Sequence, residues 1–170
     1  KYYEIQRIDD VYLEDETDEE YHVRQLYYME NSQENALEVA FNRAGLDVEV
    51  KYNGIYVLGI ISGSPAENVL KPGDRILSVD GKELNSSGDF TDYIQGKNEG
   101  DRVELTIERK KEVLKKEVTL KVVEQIGKVG LGISLVEDKE VFTNPKVEFN
   151  TQQIGGPSAG LMMSLEIYNQ

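Results

Sequence analysis

Apolar positions along this chain follow two periods. Alternation at every second residue marks "LDVEVKY", where Leu46, Val48 and Val50 share one face. It recurs in "RVELTIERKKEVLKKEVTLKVV", through Val103, Leu105 and Ile107 and then Val118, Leu120 and Val122, on either side of a basic turn. Both stretches predict strands with one wet face. "GIYVLGIIS" and "RILSV" are nearly unbroken apolar runs and read as buried strands. Helical spacing links Ala36, Leu37, Ala40, Phe41 and Ala44. It predicts a helix with Ser32 as N-cap, Asn35 at its third position and Gly45 as its stop. A second helix is expected over "SSGDFTDYIQGK", with Phe90, Tyr93 and Ile94 on one side and Gly96 at its end.

Turn chemistry punctuates these elements. Asn53-Gly54 tolerates positive φ and predicts a tight hairpin between the strands flanking it, and Asp80-Gly81 predicts another. Ser64, Pro65 and Glu67 carry the marks of a capped short helix. Lys71-Pro72-Gly73-Asp74 offers proline and glycine at the two central positions of a type II turn. The Lys and Arg cluster at 109–116, interspersed with Glu112, reads as an edge hairpin protected from aggregation by its charge. Residues 1–20 read as a short strand near Tyr2 to Ile8, or a solvated linker, followed by an exposed acidic loop.

Beyond Glu124 the pattern changes to glycine-rich strands running into one apolar helix near 157–169. The expected class is α+β, a small β-sandwich or barrel with two helices, in three parts. These are an acidic segment and helix at 1–45, a compact domain at 46–123, and a separate shorter piece at 124–170.

Charge narrows the partners. The net charge is −13 and there is one histidine and no cysteine. Residues 1–34 hold eleven acids against three bases, and so most of the excess. Such a chain is repelled by nucleic acid and anionic lipid, which leaves peptides or proteins as expected partners. Disulfides and cysteine metal sites are excluded. The Asp and Glu residues lack the spacing of a calcium loop, so no metal and no cofactor is expected. No run of about 20 apolar residues is present, so no membrane contact is expected within this stretch. Lys1 in place of Met and an uncapped C-terminal helix suggest a piece of a longer protein.

Ser158 is the one candidate nucleophile. Gly155-Gly156 frees the backbone, and Pro157 suits a first helical turn. Ser158 and Ala159 then fall where backbone amides are unpaired and the helix dipole is positive, a position able to hold an oxyanion. A serine there needs a base, and serine sites use His or Lys. The lone His22 lies in the acidic front region and reads as a surface residue, which leaves a lysine.

"GIYVLGIISGSPAENVLKPGDRILSVDGKEL", from Gly54 to Leu84, resembles the PDZ family's third strand, small helix and "L-x-x-G-D-x-I-L-x-V-x-G" hallmark. Such domains add an extended peptide to a sheet edge and capture its terminal carboxylate in a loop of backbone amides. The resemblance implies a carboxylate loop at Gly45 and Leu46. It implies a peptide-pairing edge through Asp47, Val48 and Val50, with Phe90 and Ile94 facing the peptide's side chain. The family's loop reads "G-L-G-F", whereas this region reads "AGLDVEV". The plainer reading is that Leu46, Val48, Phe90 and Ile94 fill the core.

"GGPSAG" resembles the nucleophile motif of Lon-type serine peptidases, which use a Ser-Lys dyad, and "VGLGISLVEDKEVFTNPKVEF" resembles the strands that open that domain. A PDZ region directly before it is similar to the membrane-anchored Lon-like peptidases that carry a PDZ domain. That resemblance implies an ATP-independent endopeptidase outside the cytoplasm, held by an N-terminal anchor. In that family the dyad lysine follows the serine well downstream. Lys128, Lys139 and Lys146 all precede Ser158, so this stretch is expected to hold the nucleophile without its base. A non-catalytic peptide-binding module remains the alternative, and the apolar tail helix could pair with another copy.

Overall fold

The computed structural model describes residues 18–149 and Ile167. Its elements are α1 (Asp18–Ala44), β1 (Val48–Ile60), β2 (Arg75–Val79), β3 (Lys82–Glu83), α2 (Ser87–Gln95), β4 (Arg102–Arg109), β5 (Glu112–Thr119), β6 (Lys121–Val123), β7 (Lys128–Gly130) and β8 (Ile133–Thr143). The main sheet is antiparallel in the order β5-β4-β2-β1-β8, with β3 beside β2, and β6 and β7 form a separate ribbon. Two helices with a mainly antiparallel sheet make the α+β class.

The core lies on one face of this sheet. Ile55, Val57, Ile76, Leu105 and Ile107 are at most 1% exposed, and Phe90 and Ile94 of α2 close over them with Ala66 and Leu70. Each of these Val, Leu, Ile and Phe side chains contributes about 1.5–3 kcal/mol by leaving water. The alternation read for 103–107 puts these three residues inward while Glu104 points out. The same holds after the basic turn for Val118 and Leu120, which are buried, but Val122 is 45% exposed.

The turns follow their residues. Gly73 adopts φ 86 at the third position of the Pro-Gly turn, and Asp74 N–H donates to Lys71 C=O at 3.0 Å. Asp80 and Gly81 both take positive φ, as a type I′ hairpin requires. Ser86 caps α2 by accepting from Asp89 N–H, and Gly96 ends it.

Three expectations need correction. Asn53-Gly54 makes no hairpin: β1 runs through it, and β8 pairs along β1 from Val48↔Thr143 to Ile60↔Ile133, with a register shift between Tyr52 and Gly54. Gly54 is the residue of a bulge, where a Cβ would come within 2.6 Å of Ile76 C=O. The short helix at Ser64 is a set of turns. Glu67 does reach back to Gly63 N–H at 3.1 Å, but Ser64 Oγ donates to Gly132 C=O instead of capping.

The first helix starts at Asp18, not after Ser32, which is buried within it. Residues 18–31 contain no glycine or proline and many strong helix formers, so an acidic run alone does not unfold them. Contacts with the sheet hold the helix. Tyr27 stacks on Tyr56 with ring centroids 3.8 Å apart, and Glu38 pairs with the buried Lys139 of β8. Gly45, with φ 69, then turns the chain into β1.

The boundary expected at 123/124 falls in the turn between β6 and β7. Residues 133–143 lie on the same sheet as β1, tied across it by Arg75, whose guanidinium reaches Asp138 at 2.7 Å and Glu108 at 2.6 Å. Ile167 packs on Ala36.

Candidate functional site

Among the described residues the sheet ends at β8, and α2 runs beside that end strand. Gln95 Nε2 near the C-terminus of α2 donates to Val129 C=O. At the other end, Ser87 N–H and Oγ both donate to one oxygen of Glu137, each at 2.8 Å. A groove is therefore framed by α2, by the outer edge of β8 and, at its head, by residues 130–133.

The direction of the backbone groups along this edge follows from register. Ile61 N–H donates to Gly132 C=O while Ile60 and Ile133 are Cα partners, so that pair is of the widely spaced kind. The N–H and C=O of Ile133 thus point away from β1. The irregularities lie in β1, so β8 keeps strict alternation and Leu135 also turns its polar groups outward. The side chains of Ile133 and Leu135 pack against the core on the α2 side.

The head of the groove is Gly130-Leu131-Gly132-Ile133. Ala66 N–H donates to Leu131 C=O, and Ile61 N–H and Ser64 Oγ donate to Gly132 C=O. In a trans peptide the N–H opposes the C=O, so the amides of Gly132 and Ile133 face away from those donors, toward the groove. Gly132 has φ 75, and a Cβ on it would sit 2.3 Å from Ser64 Cβ. Two adjacent outward amides above an apolar floor are suited to an anionic terminus.

Of the sequence-derived groove residues, Gly45, Leu46, Asp47, Val48 and Val50 lie elsewhere. Gly45 is the stop of α1, and Leu46 N–H donates back to Phe41 C=O. Asp47 precedes β1, and the edge at Val48 and Val50 that faces β8 is taken by Thr143 and Val141. Phe90 and Ile94, 3% and 4% exposed, belong to the core, and α2 neighbours β7 and β8 rather than residues 46–51. The missed residues, Gly130 to Ile133, differ from the family's "G-L-G-F" in one position. In this chain that motif follows the Gly-Asp hallmark instead of preceding it. Ser158 and its neighbours Gly155, Gly156, Pro157 and Ala159 lie outside the described residues.

Beyond Leu135 the setting becomes polar. A cavity of about 270 Å³ between α1 and the strands is lined by Tyr27, Glu30, Glu34, Tyr56, Asp138 and Glu140 among others. Burial pushes the Glu34 carboxyl above its usual value against the opposing hydrogen bond from Val141 N–H. Burial, with the charge of Asp138, likewise raises the Tyr56 phenol.

The family model of the PDZ domain matches residues 43–120. Serine protease HTRA1 of Xenopus tropicalis is 41% identical over 73 residues, 42% of this chain and 15% of that protein. A Brucella suis protein named as a zinc metalloprotease is 33% identical over 93 residues, 52% of this chain and 24% of its own length. The chain thus spans under a quarter of the length of these relatives. Among solved structures, the PDZ domain of the SdrC-like protein of Listeria monocytogenes is 35% identical, with a TM-score of 0.49 over 52% of this chain and 93% of that one. Its Listeria innocua counterpart is 33% identical, with a TM-score of 0.46 over 48% and 92%. Through residues 43–120, with their Gly-Asp hallmark, the chain belongs to the PDZ domain family.

Proposed function

We propose that the groove between β8 and α2 binds a free C-terminal peptide tail, with the carboxylate on the amides of Gly132 and Ile133 and the tail added as a strand to Leu135. The observation that carries this reading is the pair of outward amides at Gly132 and Ile133 directly before the open edge of β8. Leu131, Ile133 and Ile94 supply an apolar setting for the last side chain. Titration of the chain with matched peptides bearing a free or an amidated C-terminus tests it. Amidation should weaken binding at least tenfold, and equal affinities would refute carboxylate capture.

The tail belongs, in this proposal, to a protein substrate of a protease. Two relatives are named after different catalytic chemistries, a serine and a zinc protease, yet each matches this chain over fewer than a hundred residues. A region shared by both fits recognition rather than bond cleavage. The catalytic part is, on the resemblance of "GGPSAG", a Lon-type serine endopeptidase, independent of ATP and anchored outside the cytoplasm. Ser158 attacks the peptide carbonyl after giving its proton to a neutral lysine further along the parent chain, and an acyl-enzyme follows. Ser158→Ala in the parent should abolish cleavage and leave peptide binding intact, while residues 1–170 alone should hydrolyse nothing.

A further inference from the structure

Every second residue of β8 turns its N–H and C=O to the outer edge, as derived above for Ile133 and Leu135. The same parity continues through Glu137, Lys139 and Val141. Further along, that edge is not open. Glu137 C=O accepts from Asn31 Nδ2 at 3.1 Å, and Val141 N–H donates to Glu34 Oε2 at 2.6 Å. Lys139 sends its ammonium to Glu38. Two side chains of α1, Asn31 and Glu34, thus take the hydrogen bonds of a neighbouring strand, and Glu38 pins α1 to β8 through the Lys139 side chain. The Glu137 carboxylate also crosses to the start of α2.

A peptide running antiparallel to β8 from the carboxylate site pairs its last residue with Ile133. Its third residue from the end exchanges both hydrogen bonds with Leu135. The next bonding position is Glu137, whose carbonyl Asn31 already holds. We infer that α1 ends the groove there, so that the site takes the final three residues of a free C-terminus. A longer segment cannot continue as a strand, because Asn31 and Glu34 occupy the hydrogen-bonding groups it would use. The partner is a protein whose short free tail projects from its folded body or leaves the surface after three residues. This rests on the peptide-binding reading above and adds the length it accepts.

Two measurements on the full 170-residue chain test it. In the first, a displayed library of random eight-residue C-terminal tails is selected on the protein. Enrichment confined to the last three positions is expected. Enrichment of comparable strength at the fifth position or further from the end would overturn the length limit while leaving the groove intact. No enrichment at the last three positions would overturn the groove reading and the limit together. In the second, amide exchange is followed without ligand. Val141 should exchange at least tenfold more slowly than Leu135, and Glu34→Ala should remove that difference. Equally fast exchange at Val141 and Leu135 in the unaltered chain would show that α1 does not close the edge.

Discussion

Asp74 is 1% exposed, and Arg109 grips both of its oxygens, Nε on Oδ1 at 2.6 Å and a terminal nitrogen on Oδ2 at 2.7 Å. The pair locks the Pro-Gly turn to the far strand β4, because Asp74 also accepts from Lys71 N–H and Arg109 also donates to Val69 C=O. The acid of the Gly-Asp hallmark is therefore structural. It holds the turn from which Asp74 C=O accepts the Val57 N–H of β1.

Removing one partner leaves a buried charge uncompensated. Arg109→Ala should cost about 3–5 kcal/mol of folding stability, measured by urea unfolding. Arg109→Lys keeps the charge but loses the two-pronged geometry and should cost less. A loss below 1 kcal/mol for Arg109→Ala would contradict the account of this pair.

Gly54 adopts φ 141 in the bulge of β1, with Ile76 C=O where a Cβ would project. Gly54→Ala therefore meets both an unfavourable backbone angle and a fixed carbonyl. It should destabilise the fold by about 1–3 kcal/mol, read as a lowered Tm.

That glycine also marks how far the sequence is legible. Asn-Gly between two apolar runs signals a position of positive φ, and the structure has one at Gly54. Whether the chain reverses or bulges there depends on a partner strand, and β8 lies some eighty residues away, beyond the reach of local pattern. Asp80-Gly81, whose two strands pair with each other, is read correctly for the same reason. The strands of 102–119 and the cap of α2 are equally local. The groove is not, since its edge strand β8 comes some fifty residues after the hallmark and meets β1 only through long-range pairing. The start of α1 is not legible locally, because what holds residues 18–31 helical includes Tyr56 and Glu137, which no window around Ser32 contains.

Gly132 and Gly127 separate strain from function. Both have positive φ, 75 and 64, but a Cβ on Gly127 meets nothing within 4 Å, while one on Gly132 collides with Ser64. Alanine at either position costs about 1 kcal/mol or more in backbone strain. Gly132→Ala must in addition shift the amides of Gly132 and Ile133, so it should weaken binding of a free-carboxylate tail at least tenfold. Gly127→Ala should leave that affinity within twofold. Equal affinities for the two variants in a fluorescence titration would remove Gly132 from the carboxylate site.

Asp80 fixes the C-terminal end of α2, one wall of the groove. Its Oδ1 accepts from Glu104 N–H at 2.8 Å, and its Oδ2 accepts from Tyr93 Oη at 2.8 Å and from Lys97 at 3.3 Å. Partial burial pushes its carboxyl up. The Glu104 amide, the Tyr93 hydroxyl and the Lys97 ammonium outweigh that and hold it below the usual 3.8. A carboxyl lowered in the folded state binds fewer protons there than when unfolded, so its contribution is complete above 3.8 and fades as pH falls through the lowered value. Asp80→Asn keeps the shape and loses the charge. It should cost about 1 kcal/mol at pH 7, since the site is partly exposed. The gap between the two proteins, followed by urea unfolding, should narrow as pH drops below 3.8. A gap that stays constant down to pH 2 would mean that the carboxylate's charge plays no part in holding α2.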